Sequence, residues 1–130
     1  MKNIFNGLKE GWSLWCHRNW VVYHGLPRKK MPNIVCLCGS TKFKDAFVEA
    51  MRNETLKGHI VLTVGLFGHH EGLDMNGETK KMLDELHKRK IDLANEIFVL
   101  NVGGYIGEST RSEVNYAETK GKNIRYLEEK

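Results

Sequence analysis

The chain has 130 residues, 41% of them apolar and 28% charged, enough for one globular domain and too few for two. No apolar run approaches the roughly 18 to 20 residues that a membrane-spanning helix requires. The formal charge of +4 is uneven: residues 1–30 carry six Lys/Arg against Glu10 alone, and residues 31–130 carry fourteen against fifteen acids, which excludes a general nucleic-acid surface for the larger part.

Residues 1–30 read as a basic N-terminal extension holding all three tryptophans, Trp12, Trp15 and Trp20. Ile4, Phe5, Leu8, Trp12 and Trp15 recur at three- and four-residue steps, the pattern of a helical stripe. Such a stripe exposes more apolar surface than a monomer usually leaves open, so a homodimer or larger homo-oligomer is expected. "LPRKKMPN" (26–33), with both prolines, reads as a linker into a domain spanning 31–130. No charged-then-apolar leader opens the chain, so a cytoplasmic protein without nucleic-acid or membrane partners is expected. The cysteines, Cys16, Cys36 and Cys38, are odd in number, and two form a C-x-C within a strand, which cannot bend to join them; reduced core thiols without a histidine partner are expected.

From Asn33 onward strand and helix alternate. "NIVCLC" (33–38) is predicted to be a buried strand. A helix follows, with Phe43, Ala46, Phe47, Ala50 and Met51 on one face and Ser40 or Thr41 as its N-cap. "KGHIVLTVG" (57–65) gives the second strand, and "GLFGHHEGLDMNGE" (65–78) a loop, read as a lid whose Phe67 stacks on a ligand. A polar helix over about 78–95 places Met82, Leu83, Leu86, Leu93 and Ala94 inward. "EIFVLNV" (96–102) is the third strand, 110–120 the third helix and "NIRYL" (123–127) the fourth strand. Strands alternating with helices of this length predict right-handed crossovers. The expected fold is α/β, a small doubly wound, Rossmann-like or flavodoxin-like parallel sheet of four to five strands with helices on both faces, plus the N-terminal helical extension.

Ligands of such sheets bind beyond the carboxyl ends of the strands. Two junctions at that edge carry unusual residues. In "CGSTKFK" (38–44), Gly39 permits a tight turn, Ser40 and Thr41 offer hydroxyls and amides at a helix start, and Lys42 adds charge, a pattern suited to an anion or to an ordinary cap. In "GGYIGESTRSE" (103–113), Thr110-Arg111-Ser112-Glu113 fits a capping box, while Glu113 in a first helical turn would equally be an ionised nucleophile. Gly103, Gly104 and Gly107 would let a ligand lie against the backbone. His69, His70, Glu71 and His87 lack metal-ligand spacing, so no metal is expected, and no cofactor.

The order "CGS" after the first strand, a glycine-rich turn after the second, and "STRSEVNYAETKGK" (109–122) resembles the nucleoside 2-deoxyribosyltransferase superfamily, which includes 2'-deoxynucleoside 5'-phosphate N-hydrolases. The resemblance covers residues 33–127. It implies Glu113 as nucleophile, Asp84 or Asp92 as the acid serving the base, and Gly39, Ser40, Thr41 and Lys42 around a 5'-phosphate. At the junction before Glu113, Gly107 would let such a ligand lie against the backbone, and Ser109, Thr110 and Arg111 offer partners for its sugar or phosphate. The chain departs from the pattern at Gly107, where transferase relatives carry an aspartate, and at Asn115, where they carry glycine. The activity implied is cleavage or transfer of an N-glycosidic bond in a nucleoside or nucleoside 5'-monophosphate. The alternatives are a non-catalytic nucleotide-binding module and a phosphoribohydrolase of the cytokinin-activating type.

Overall fold

Four short apolar runs form one parallel sheet: β1 (Ile34–Cys38), β2 (Ile60–Leu62), β3 (Glu96–Val99) and β4 (Asn123–Tyr126), in spatial order β2-β1-β3-β4. The register aligns Ile34 with Ile60, Val35 with Glu96, and Glu96 with Asn123. The computed structural model describes residues 31–73 and 76–129, with Pro32–Lys130 as one compact unit. The expected helical extension over residues 1–30 lies outside the described residues. Among them, no helix is long and apolar enough to cross a membrane.

β1 is buried along its last four residues because both sheet faces are covered, which is why it reads as an unbroken apolar run. Side chains alternate faces along a strand, so β1 feeds two cores. Val35 and Leu37 pack with Phe47, Ala50, Phe98 and Leu100 under helix α1 (Lys44–Leu56). Cys36 and Cys38 pack with Ile91, Ile97, Val99, Val114 and Ala117, under helices α3 (Gly77–Leu93) and α4 (Glu108–Thr119). A short helix, α2 (Gly68–Glu71), interrupts the expected loop.

Three local expectations are corrected. Neither Ser40 nor Thr41 caps α1: its N-cap is Phe43, whose N–H donates to the Ser40 carbonyl (3.0 Å), so the two hydroxyl residues belong to a turn ahead of the helix. The capping box at Thr110 is absent as well. Gly103 (φ +62°) and Gly104 (φ +77°) adopt a left-handed turn that side chains disfavour, and α4 begins at Glu108, with Gly107 as its N-cap. Thr110 is thereby the third helical residue and Glu113 the sixth. The inward face of α3 is also rotated from the expected one. His87, Ile91 and the following Ala94 are buried, whereas Met82, Leu86 and Leu93 are 54%, 50% and 67% exposed. The contact stripe runs at four-residue steps through Leu83, His87 and Ile91, and a histidine in its centre disguises it as a polar face.

α1 ends its inner face on a charge. Glu54, 1% exposed, accepts two hydrogen bonds from the Arg125 guanidinium (3.0 and 2.9 Å) and one from Lys57 (2.9 Å), with His59 Nδ1 at 2.7 Å. Arg125 also donates to Glu96 and lies over the Phe98 ring, 4.1 Å from its centroid. This network ties β4 to α1 across the sheet.

Gly39, just beyond β1, is held by close approach. A Cβ there would stand 3.1 Å from Leu100 Cβ, 3.2 Å from the Leu100 carbonyl oxygen and 3.4 Å from Phe47 Cζ. The neighbours are core and backbone, so Gly39→Ala is expected to destabilise by about 1–3 kcal/mol through overpacking. Urea unfolding with an unchanged midpoint would contradict this packing.

Candidate functional site

In the order β2-β1-β3-β4 the chain reverses direction between β1 and β3, and the loops leaving Cys38 and Val99 diverge there. A cavity of about 560 Å³ opens at this edge. The turn after β1 supplies Gly39, Ser40 and Thr41 as one wall. The segment after β2 supplies Val64, Gly65 and Leu66. α3 contributes Lys80, Leu83, Asp84, Leu86, His87 and Lys90, and Tyr105 with the start of α4 (Gly107, Glu108, Ser109, Thr110, Glu113) closes the remaining side.

The expected site residues divide accordingly. Gly39, Ser40, Thr41, Asp84, Gly107, Ser109, Thr110 and Glu113 are brought together around one cavity. Lys42 is not in its lining; its ammonium lies over the Tyr105 ring, 3.5 Å from the centroid. Arg111 lies on the outer side of α4, in a separate recess with Asn115 and Glu118. Asp92 is also outside the cavity, accepting a hydrogen bond from the Tyr116 hydroxyl (2.7 Å) with Arg89 Nε at 3.4 Å. Phe67 does not face a ligand as expected. Its ring meets Phe47 edge-on at 5.5 Å and joins the core beneath α1.

Lys80 joins two walls: its ammonium donates to Asp84 Oδ2 (2.8 Å) and to Ser109 Oγ (2.9 Å). Lys90 donates to the Thr63 carbonyl (2.6 Å) and pins the end of β2 against α3. From the sequence the run 80–90 reads as a solvated helix face on which Lys88, Arg89 and Lys90 could meet a phosphate, so Lys80 at the cavity was not expected. The signal available was its spacing: Lys80, Asp84 and His87 fall at four- and three-residue steps on one helix face.

Behind the cavity wall sits a second unexpected group. The expectation that the thiols lack a histidine partner is overturned, because His87 Nε2 stands 3.4 Å from Cys38 Sγ and 3.7 Å from Cys36 Sγ. Glu113 Oε2 is 3.7 Å from the same nitrogen and has no hydrogen-bond partner, although the carboxylate is buried. The consequences are visible in protonation. Burial pushes the Glu113 carboxyl up to about 7, against the opposing pull of His87 and of the neighbouring Cys38 thiol. The expected ionising effect of a first-turn position is therefore absent: Glu113 lies in the second turn and desolvation dominates. Burial works to lower His87, but its hydrogen bond with Cys36 and the negative charge of Glu113 raise it overall. Cys36 is held below the ordinary thiol range by the Cys38 hydrogen bond, and Cys38 is pushed above it by the same bond and by burial.

A buried carboxyl with one free oxygen, beside hydroxyls and a second carboxylate, can serve as a nucleophile or proton donor toward a small polar molecule. Compared with known protein families, characterised proteins and solved structures, the chain has no match.

Proposed function

We propose that the cavity binds a nucleoside or nucleoside 5'-monophosphate, the sugar being 2'-deoxyribose, and that Glu113 breaks its N-glycosidic bond. The observation that carries this reading is Glu113 in the lining of a cavity large enough for a nucleoside, at the switch point of a parallel sheet, with its Oε2 buried and without a hydrogen-bond partner. The sequence resemblance supplies the chemistry. Rupture of the bond leaves an oxocarbenium-like sugar, so a carboxylate on the face opposite the base is required. Glu113 attacks C1', the C1'–N bond breaks, and a glycosyl ester forms on the carboxylate. Asp84, the one of the two candidate acids that lines the cavity, takes up a proton from solvent and passes it to the leaving base. Water then completes hydrolysis, or a second base completes transfer.

Ser40 and Thr41 offer hydroxyls at the opposite wall, the place for a 5'-phosphate or 5'-hydroxyl. Ser40→Asp is expected to weaken binding of nucleoside monophosphates by about 10-fold, a charge repulsion of about 1.4 kcal/mol, while nucleosides bind as before. Calorimetric titration of both ligand types into parent and variant checks it; equal affinity of the parent for both would contradict the phosphate assignment. Met82 and Leu93, exposed along one side of α3 and outside the cavity lining, support assembly into a homo-oligomer. A non-catalytic binding role is favoured by one feature, Gly107 in place of an acid ahead of Glu113. Incubation with a panel of nucleosides and nucleoside monophosphates separates the two: released base, resolved by chromatography, is expected, and binding without release would leave only the module.

A further inference from the structure

Two clusters of metal-ligating side chains exist among the described residues, and they differ in what fills them. Glu54 and Glu96 already hold the Arg125 guanidinium, with Lys57 and His59 beside Glu54, so that cluster carries its own cations. Cys36, Cys38 and His87 offer one donor atom each within 4.8 Å of one another, all three residues buried, on the cavity side of the sheet.

The spacing fits one ion. Zinc–sulfur and zinc–nitrogen bonds in tetrahedral geometry set a thiolate sulfur and an imidazole nitrogen roughly 3.6 Å apart. The two sulfur–nitrogen separations here are 3.4 and 3.7 Å. A strand places residues i and i+2 on one face too far apart for a disulfide, yet at a suitable span for two ligands of a metal. Glu113 Oε2, unpartnered and 3.7 Å from His87 Nε2, is the adjacent group for the fourth place. Two sulfurs with an imidazole select a thiophilic ion over calcium or magnesium.

We infer that Cys36, Cys38 and His87 bind a thiophilic divalent transition metal ion, zinc foremost, behind the cavity wall beside Glu113. The ion replaces the thiol protons of Cys36 and Cys38, which pass to solvent, and takes the lone pair of neutral His87. The inference stands on donor geometry and does not depend on the glycosidic reading. The two meet at Glu113: an ion that draws in this oxygen withdraws it from attack on a sugar.

The test uses Co2+ as a spectroscopic probe on the full reduced chain carrying Cys16→Ser, so that Cys36 and Cys38 are the only thiols. Saturation at one ion per chain with a sulfur-to-cobalt charge-transfer band is expected, as is loss of the band in Cys36→Ser and Cys38→Ser. Should those variants fail to fold, protection of both thiols of the Cys16→Ser protein from a disulfide reagent by Zn2+ gives the same answer. A cobalt complex without the band, or thiols that react equally fast with and without Zn2+, overturns the inference whatever the activity proves to be.

Discussion

Glu113→Gln is expected to lower base release by at least about 10³-fold, because an amide cannot form the glycosyl ester, while the melting temperature stays close to that of the parent. The structure sharpens the stability half of this expectation. Glu113 caps nothing: it lies six residues into α4, so no helix-start hydrogen bond is lost with its charge. Its burial already favours the neutral carboxyl, which glutamine matches in shape and charge. The change in stability should remain below about 1 kcal/mol, within the range of substitutions that create no cavity and bury no new charge. Base release and thermal melting, measured on one variant, separate a catalytic carboxylate from a structural one. Retained turnover would remove Glu113 from the mechanism.

The largest expected loss of stability lies far from the cavity. Arg125→Met keeps the apolar stem that lies over Phe98 but leaves Glu54 without its two guanidinium hydrogen bonds. Stranding one partner of a buried pair costs about 3 kcal/mol or more, and Lys57 and His59 offset only part of it. The pH dependence follows in sign. Hydrogen bonds from Arg125, opposed by burial and aided by Lys57 and His59, hold the Glu54 carboxyl down at about 2 from an ordinary 4.5. A depressed carboxyl contributes its full stabilisation above the ordinary value and loses it as pH falls from 4.5 toward 2. The parent should therefore lose stability steeply across that window, and Arg125→Met, already less stable, should show a shallower fall. Glu54→Leu combined with Arg125→Met should recover part of the loss, since no charge is then stranded. Denaturant unfolding at pH 7, 4 and 3 measures all three; parallel pH profiles for parent and Arg125→Met would contradict the ion-pair account.

The sheet was legible because a strand covered on both faces needs an unbroken apolar run, and "IVCLC" and "EIFV" supply such runs, each followed by glycine at Gly39 or at Gly103 and Gly104. The edge of the sheet that holds the cavity followed from the alternation of strands and helices. What escaped the sequence depends on distances along the chain. Cys36 and Cys38 were legible as buried, but their histidine lies 51 and 49 residues away on a helix whose face only packing determines. That helix misled for a physical reason. Met82, Leu86 and Leu93 form the more apolar stripe, yet the sheet takes the stripe through His87 and Ile91, and the histidine is tolerated there by two thiols and a carboxyl. The S/T-x-x-E pattern at Thr110 misled in the opposite way. The spacing of a capping box is present, but the turn built on Gly103 and Gly104 starts the helix at Glu108 and carries Glu113 inward. Arg111 and Asp92 sit one and two helical steps from residues that line the cavity, a rotation that spacing alone does not resolve.

A glycosyl ester on Glu113, on which the proposed function rests, is detected by mass. Protein mixed with a 2'-deoxynucleoside monophosphate that it cleaves, quenched in acid within the first turnover and digested, yields the peptide containing Glu113. The expected result is that peptide heavier by one deoxyribosyl phosphate group, with fragmentation placing the addition on Glu113 and no addition in Glu113→Gln. Base released in the same quenched sample, with the peptide unmodified or the sugar on another residue, would contradict the claim.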